Sequence, residues 1–227
     1  QVLHAIESLL EKICCVSEEE TSKFSKKKGD LLERKTVNLL QKFFKGRATI
    51  YQGYYVDGCE QDILVLYRDM ALVIEAKAYP MHEPFRDPSR AFTRIQRDFN
   101  KSIGYANEQL WRVEQKFIEQ KPLILTDKDG NVIAEIDTKK YVDGDYYIIV
   151  NQKSFGQVQI DLSVLLDLQE GAHFPWAIRY DDLEAFILTL KRMGKDWRYL
   201  KQFLLNREYL HGRVIASDEL EICGGYL

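Results

Sequence analysis

Residues 71–78, ALVIEAKA, place a glutamate and a lysine two positions apart inside a run that is otherwise apolar. A run that short and that apolar reads as a strand covered on both faces. Alternation puts Glu75 and Lys77 on one face and Leu72, Ile74 and Ala76 on the other. Charged side chains are seldom held in such strands unless they are paired or put to use. The bland alternative is a cross-strand ion pair on a solvated face.

The elements around this strand set a fold class. Residues 2–16 have helical apolar spacing, and residues 17–28 form a polar linker or a solvated helix. Asp30 suits an N-cap for a helix over 31–45 that stops at Gly46. Strands follow over 49–56, 61–67 and 71–78, with turns at Asp57-Gly58 and Arg68-Asp69. Phe92, Ile95, Phe99, Ile103, Ala106, Leu110, Val113 and Phe117 then recur at three and four, giving one long helix or two broken near Gly104. Further strands are expected over 123–125, 132–136, 146–150 and 176–180, with another suggested over 158–162. Late helices should run from Asp181 to about Met193 and over 197–210. The expectation is an α/β fold: a central mixed sheet flanked by helices, with an N-terminal helix and a C-terminal helical extension. The segments divide as 1–22, 23–162 and 163–227.

Two more carboxylates stand where apolar residues or strand ends are expected. Glu33 shares a helix face with Val37, Leu40 and Phe44. A capping box from Asp30 to Glu33 is the competing explanation. Asp62 opens the strand QDILVLY, where a plain polar strand end competes. Together with Glu75 these acids suit a hard divalent cation, Mg²⁺ or Mn²⁺, and the Ala76 carbonyl lies between Glu75 and Lys77 as a further donor. Lys77 beside such a cation would have a lowered pKa and serve a water molecule. The cation would polarise a phosphoryl oxygen. Those roles add up to phosphodiester hydrolysis.

At these residues the sequence resembles the PD-(D/E)xK nuclease superfamily, with its restriction-endonuclease-like fold, and within it the nuclease-related domain (NERD). The matching text is GDLLERKTVNLL (29–40), EQDILVLY (60–67) and ALVIEAK (71–77), about the first half of the chain. Leu32 and Asp69-Met70 stand where relatives often carry glycine. The resemblance implies that Asp62 and Glu75 bind metal, that Lys77 serves the attacking water and that Glu33 completes the site. It makes DNA the favoured substrate. Gln96 is a candidate because some relatives use a glutamine on the helix after E-x-K; Gln109 is a weaker one.

The cations after the E-x-K strand are the candidate nucleic-acid contacts. Arg90, Arg94, Arg97 and Lys101 fall at i, i+4, i+7 and i+11, with Arg86 in the loop before them. A plain solvated helix face competes. The chain has 32 Lys+Arg against 35 Asp+Glu, a formal net charge of −3, so bulk positive charge does not hold a polyanion. DNA binding should be weak and should fall as salt rises. No apolar run reaches membrane length. Four cysteines without C-x-x-C spacing suggest neither a disulfide framework nor zinc, so a reducing cytoplasm is expected. Trp111, Trp176 and Trp197 read as core. A catalytically quiet nuclease-fold module within a larger protein or complex is the alternative function. A second copy of the chain and further domains are the other partners left open.

Overall fold

The computed structural model describes residues 17–79 and 87–227, with Ile6, Leu9, Leu10, Ile13 and Cys15 before them. Most of the helix expected over 2–16, and Arg86, lie outside the described residues.

The first long helix, α1 (Glu18–Phe43), starts well before Asp30. Ser17 caps it in a capping box with Glu20, and Glu18, Glu19 and Glu20 complement the dipole in the first turn. Residues 18–28 are therefore helix, the second of the two readings of this stretch. Asp30 is not a cap, and the capping explanation of Glu33 falls away. The spacing Ser17-x-x-Glu20 carries the same signature as Asp30-x-x-Glu33, and Gly29 inside the helix costs only about 1 kcal/mol.

A meander follows: β1 (Thr49–Val56), β2 (Cys59–Tyr67) and β3 (Met70–Lys77), paired antiparallel. Asp57 and Gly58 both have positive φ, as a two-residue hairpin turn requires. Next come α2 (Pro88–Phe99), a π-helical turn (Asn100–Gly104) and α3 (Tyr105–Ile118). The strands β4 (Leu123–Thr126), β5 (Val132–Ile136), β6 (Asp145–Asn151) and β7 (Trp176–Arg179) complete a seven-stranded mixed sheet, in the order β5-β4-β1-β2-β3-β6-β7. β6 lies parallel to β3, from Ala71↔Asp145 to Lys77↔Asn151, and β7 lies parallel to β6. Residues 157–164 form two short helical turns, not the strand suggested over 158–162: α4 (Gln157–Ile160) and a 3₁₀ turn (Leu162–Val164).

The C-terminal third belongs to the same sheet and core. α5 (Tyr180–Arg192) begins one residue before Asp181, which sits with Asp182 in its first turn instead of capping it. α6 (Trp197–Glu208) is capped by Asp196, and α7 (Glu219–Tyr226) was not foreseen. One face of the sheet packs Ile63, Leu72, Ile74 and Val150 against Val37 and Leu40 of α1 and Phe186 and Phe203 of α5 and α6. The other packs Leu64, Val73 and Ile149 against Phe99, Ile103, Leu110 and Val113. Truncating such a residue to alanine typically costs 2–5 kcal/mol.

A buried ion pair ties the late helices to the sheet. Arg207 Nε donates to Glu219 Oε1 at 2.7 Å, and Trp176 Nε1 donates to the same oxygen at 2.6 Å. Arg207 Nη2 also donates to the Ile160 carbonyl at 2.7 Å.

The apolar stripe of the long helical segment departs from its expected course. Phe92 is 52 % exposed, while Ala91, Arg94 and Ile95 are half-buried and Asp98 is buried. The π-helical turn adds residues to one turn and so rotates α2 relative to α3. Phe92 turns out and Arg94 turns in.

Candidate active site

Glu75, Lys77 and Asp62 meet at the C-terminal end of β3. The β2–β3 ladder runs from Tyr67↔Met70 to Ile63↔Ile74, and Asp62 is the next residue of β2. There its side chain bridges to β3. Asp62 Oδ2 accepts the Ala76 N–H at 2.7 Å, and the Asp62 N–H donates to Glu75 Oε1 at 3.2 Å. Lys77 Nζ donates to Glu75 Oε2 at 2.6 Å and to Asp62 Oδ2 at 3.3 Å. Alternation does place Glu75 and Lys77 together, opposite Leu72, Ile74 and Ala76.

One ammonium does not neutralise these acids. Burial pushes the Glu75 carboxyl well above the usual carboxylate range, and the Asp62 charge adds to the rise while Lys77 opposes it. Burial works against the Lys77 ammonium, but Glu75 and Asp62 outweigh it and hold lysine above its ordinary value. The lowered lysine pKa expected beside a cation is thus not the state of the site by itself. Glu33 is half-buried on α1, on the face of Val37, Leu40 and Phe44. It shares no hydrogen bond with Asp62, Glu75 or Lys77 among the described residues. Burial raises its carboxyl to about 7, helped by Asp62 and Asp30 and opposed by Lys77. Three carboxylates therefore share one lysine.

Unpaired polar atoms surround the same place. Tyr54 Oη, both Gln61 side-chain amide atoms, Gln109 Oε1 and Asn151 Oδ1 are buried without a hydrogen-bond partner. Tyr54 faces Gln61 across β1–β2, and Asn151 is the β6 neighbour of Lys77. Gln109 Nε2 donates to the Glu60 carbonyl at 3.2 Å. Burial raises the Tyr54 hydroxyl well above its usual value, with Glu75 and Asp62 adding to the effect. Each buried unsatisfied group costs about 1–3 kcal/mol, so their concentration here calls for bound water or ligand.

Among the described residues no group of three or more His, Cys, Asp or Glu side chains is placed to hold a metal ion. The donor set at β3 is smaller: the Asp62 and Glu75 carboxylates and the Ala76 carbonyl. It fits Mg²⁺, which keeps several waters and takes one or two protein carboxylates. It does not fit zinc, which seeks nitrogen and sulfur.

The helical candidates divide. Gln96 is exposed on α2, whereas Gln109 is buried and bonded to the Glu60 carbonyl of β2. Of the two glutamines, Gln109 is the one that reaches β2; a polar residue next to Leu110 on the apolar stripe is its signal in the sequence. The Tyr105 ring lies 5.8 Å from Lys77 Nζ. Arg90, Arg97 and Lys101 are exposed, Arg94 is half-buried, and Arg97 pairs with Asp98 at 3.6 Å.

No protein-family model, curated protein or solved structure matches this chain.

Proposed function

We propose that the protein is a metal-dependent nuclease that hydrolyses phosphodiester bonds of DNA. The observation that carries the reading is the contact of Asp62, Glu75 and Lys77 within 3.3 Å on a buried sheet end ringed by unpaired polar atoms. The resemblance to PD-(D/E)xK nucleases of the NERD type supports the same reading, and it alone favours DNA over RNA.

Asp62, Glu75 and the Ala76 carbonyl would hold Mg²⁺ or Mn²⁺, which supplies charge to a phosphoryl oxygen and acidity to a bound water. Asp62 fixes the end of β3 through the Ala76 N–H and so sets the spacing of the acids. Lys77 orients the attacking water and carries a proton at Nζ. Glu33, close enough on α1 to feel the charges of Asp62 and Lys77, adds a third carboxyl to the site. Gln109 holds the Glu60 carbonyl and keeps Oε1 buried and unpaired, a spare acceptor for a bound water. Arg90, Arg97 and Lys101 meet substrate phosphates from α2 and the turn after it. The free thiols of Cys15, Cys59 and Cys223 suit a reducing cytoplasm.

Cleavage of plasmid, single-stranded DNA and RNA with Mg²⁺ or Mn²⁺ tests the reading, wild type against Lys77→Ala. Metal-dependent cutting of DNA that falls at least 100-fold in the variant is expected. Absence of cutting, or cutting untouched by the change, overturns it.

A further inference from the structure

A second charged region lies at the opposite end of the sheet. A cleft of about 290 Å³ opens between the end of α1, the β2–β3 turn and the α5–α6 connection. Lys45, Arg47, Arg68, Lys191 and Lys195 line it. Among the described residues lining it, Asp196 is the single carboxylate, and it is already engaged by Arg198 at 2.7 Å. In a chain with a formal net charge of −3, such a collection of cations is a local excess, although Asp69, bonded to Lys201, stands near Arg68. Like charges held this close repel, and an anion relieves them.

The walls are aromatic. Tyr67 and Trp197 are half-buried, their rings 5.8 Å apart and at 74°. Trp197 packs against the core, as sequence placed it, and also lines the cleft. The Arg68 guanidinium lies 5.7 Å from both rings, and Lys195 Nζ is 4.5 Å from the Tyr199 ring. The Arg198 guanidinium lies 5.2 Å from the Trp197 ring as well, so a planar group that stacks there takes the place of one guanidinium, which then turns to the anion. Its volume is close to the lower end for small-molecule sites, about 300 Å³.

We propose that this cleft binds a nucleoside phosphate, with the base against Trp197 and Tyr67 and the phosphate among Lys45, Arg47, Arg68, Lys191 and Lys195. Rings plus cations recognise the two halves of that ligand; cations alone would take any anion. The nucleoside phosphate is either a free nucleotide or one unit of a strand. Tyr67 is five residues from Asp62 along β2, about 17 Å at 3.4 Å per residue, so the cleft stands apart from the acidic site. The proposal does not rest on nuclease activity.

The test is titration of the full chain in EDTA, which prevents metal-dependent cutting, following Trp fluorescence and heat. The probes are AMP, ATP, a 12-mer of thymidylate and inorganic tripolyphosphate. ATP or the 12-mer is expected to bind at least tenfold more tightly than tripolyphosphate. The double variant Lys191→Glu/Lys195→Glu, on surface positions, should weaken that binding at least tenfold. Trp197→Leu should remove the preference over tripolyphosphate. Tighter binding of ATP identifies the free nucleotide as the source, and tighter binding of the 12-mer identifies a strand. Lys77→Ala should leave the ATP and tripolyphosphate values unchanged, which separates this outcome from the fate of the nuclease reading. No binding, binding indifferent to the double variant, or tripolyphosphate binding as well as ATP and the 12-mer overturns the proposal.

Discussion

Asp62 Oδ2 accepts the Ala76 backbone N–H at 2.7 Å, one residue past the end of the regular β2–β3 ladder. The carboxylate thus does a strand's work while standing in the candidate site. Asp62→Asn keeps an acceptor for that N–H, so the urea midpoint should stay close to wild type while cleavage falls. Asp62→Ala leaves the amide unpaired and should lose about 1–3 kcal/mol as well. Equal stability of the two variants would remove the structural half of this account.

Divalent cations should stabilise the folded chain. A ligand that binds only the native state adds about 2.7 kcal/mol at 100 times its Kd. Thermal unfolding with increasing Mg²⁺ should therefore move to higher temperature, and Glu75→Gln should abolish the shift. A shift of the same size in that variant would place the cation elsewhere.

The two glutamines should separate cleanly in kinetics. Gln109→Leu loses the bond to the Glu60 carbonyl beside Asp62 and is expected to lower kcat at least tenfold. Gln96→Ala changes an exposed residue and should leave kcat within twofold. Steady-state cleavage of the same duplex by both variants decides.

Gly144 has no room for a side chain. A Cβ there would stand 1.9 Å from the Asp69 carbonyl oxygen, while the Ala71 N–H donates to the Gly144 carbonyl at 2.8 Å. Gly144→Ala should destabilise by about 1–3 kcal/mol, as overpacked positions do. At about 2–4 °C per kcal/mol for a chain of this size, a melting scan resolves it.

His173 should give stability a slope on the alkaline side. Its hydrogen bond to Glu114, 2.7 Å, lifts it to about 9 against burial, with Glu208 and Asp145 adding. Because the folded value lies above the ordinary 6.5, the contribution is complete below about pH 6.5 and is lost as pH rises through 9. Urea midpoints measured from pH 6 to 10 should fall across that window, and His173→Gln should flatten the slope. An unchanged slope in the variant assigns it to another group.

Sequence spacing was enough for the meander and for the pairing of Glu75 with Lys77, because strand alternation is local and each hairpin turn has its own chemistry. It also placed Glu33 on the right face of α1, although Asp30 suggested the wrong start for that helix. The basic cleft was not legible. Lys45, Arg68 and Lys195 come from three connections whose meeting depends on how the helices dock, which no local pattern carries. The surroundings of Gln109 and Trp197 were hidden for a related reason: a side chain beside an apolar stripe can face a core, a cleft or a site.

The π-helical turn at Asn100–Gly104 has a consequence for any attempt to rework this segment. An α-helix advances by about 100° per residue, so making that turn α-helical with all of its residues kept would swing α2 through roughly that angle about its axis. Phe92 would come back under cover and Arg94 would be driven toward solvent. Deleting one residue from the turn would instead remove the bulge and leave the cationic side of α2 aimed as it is relative to Lys77.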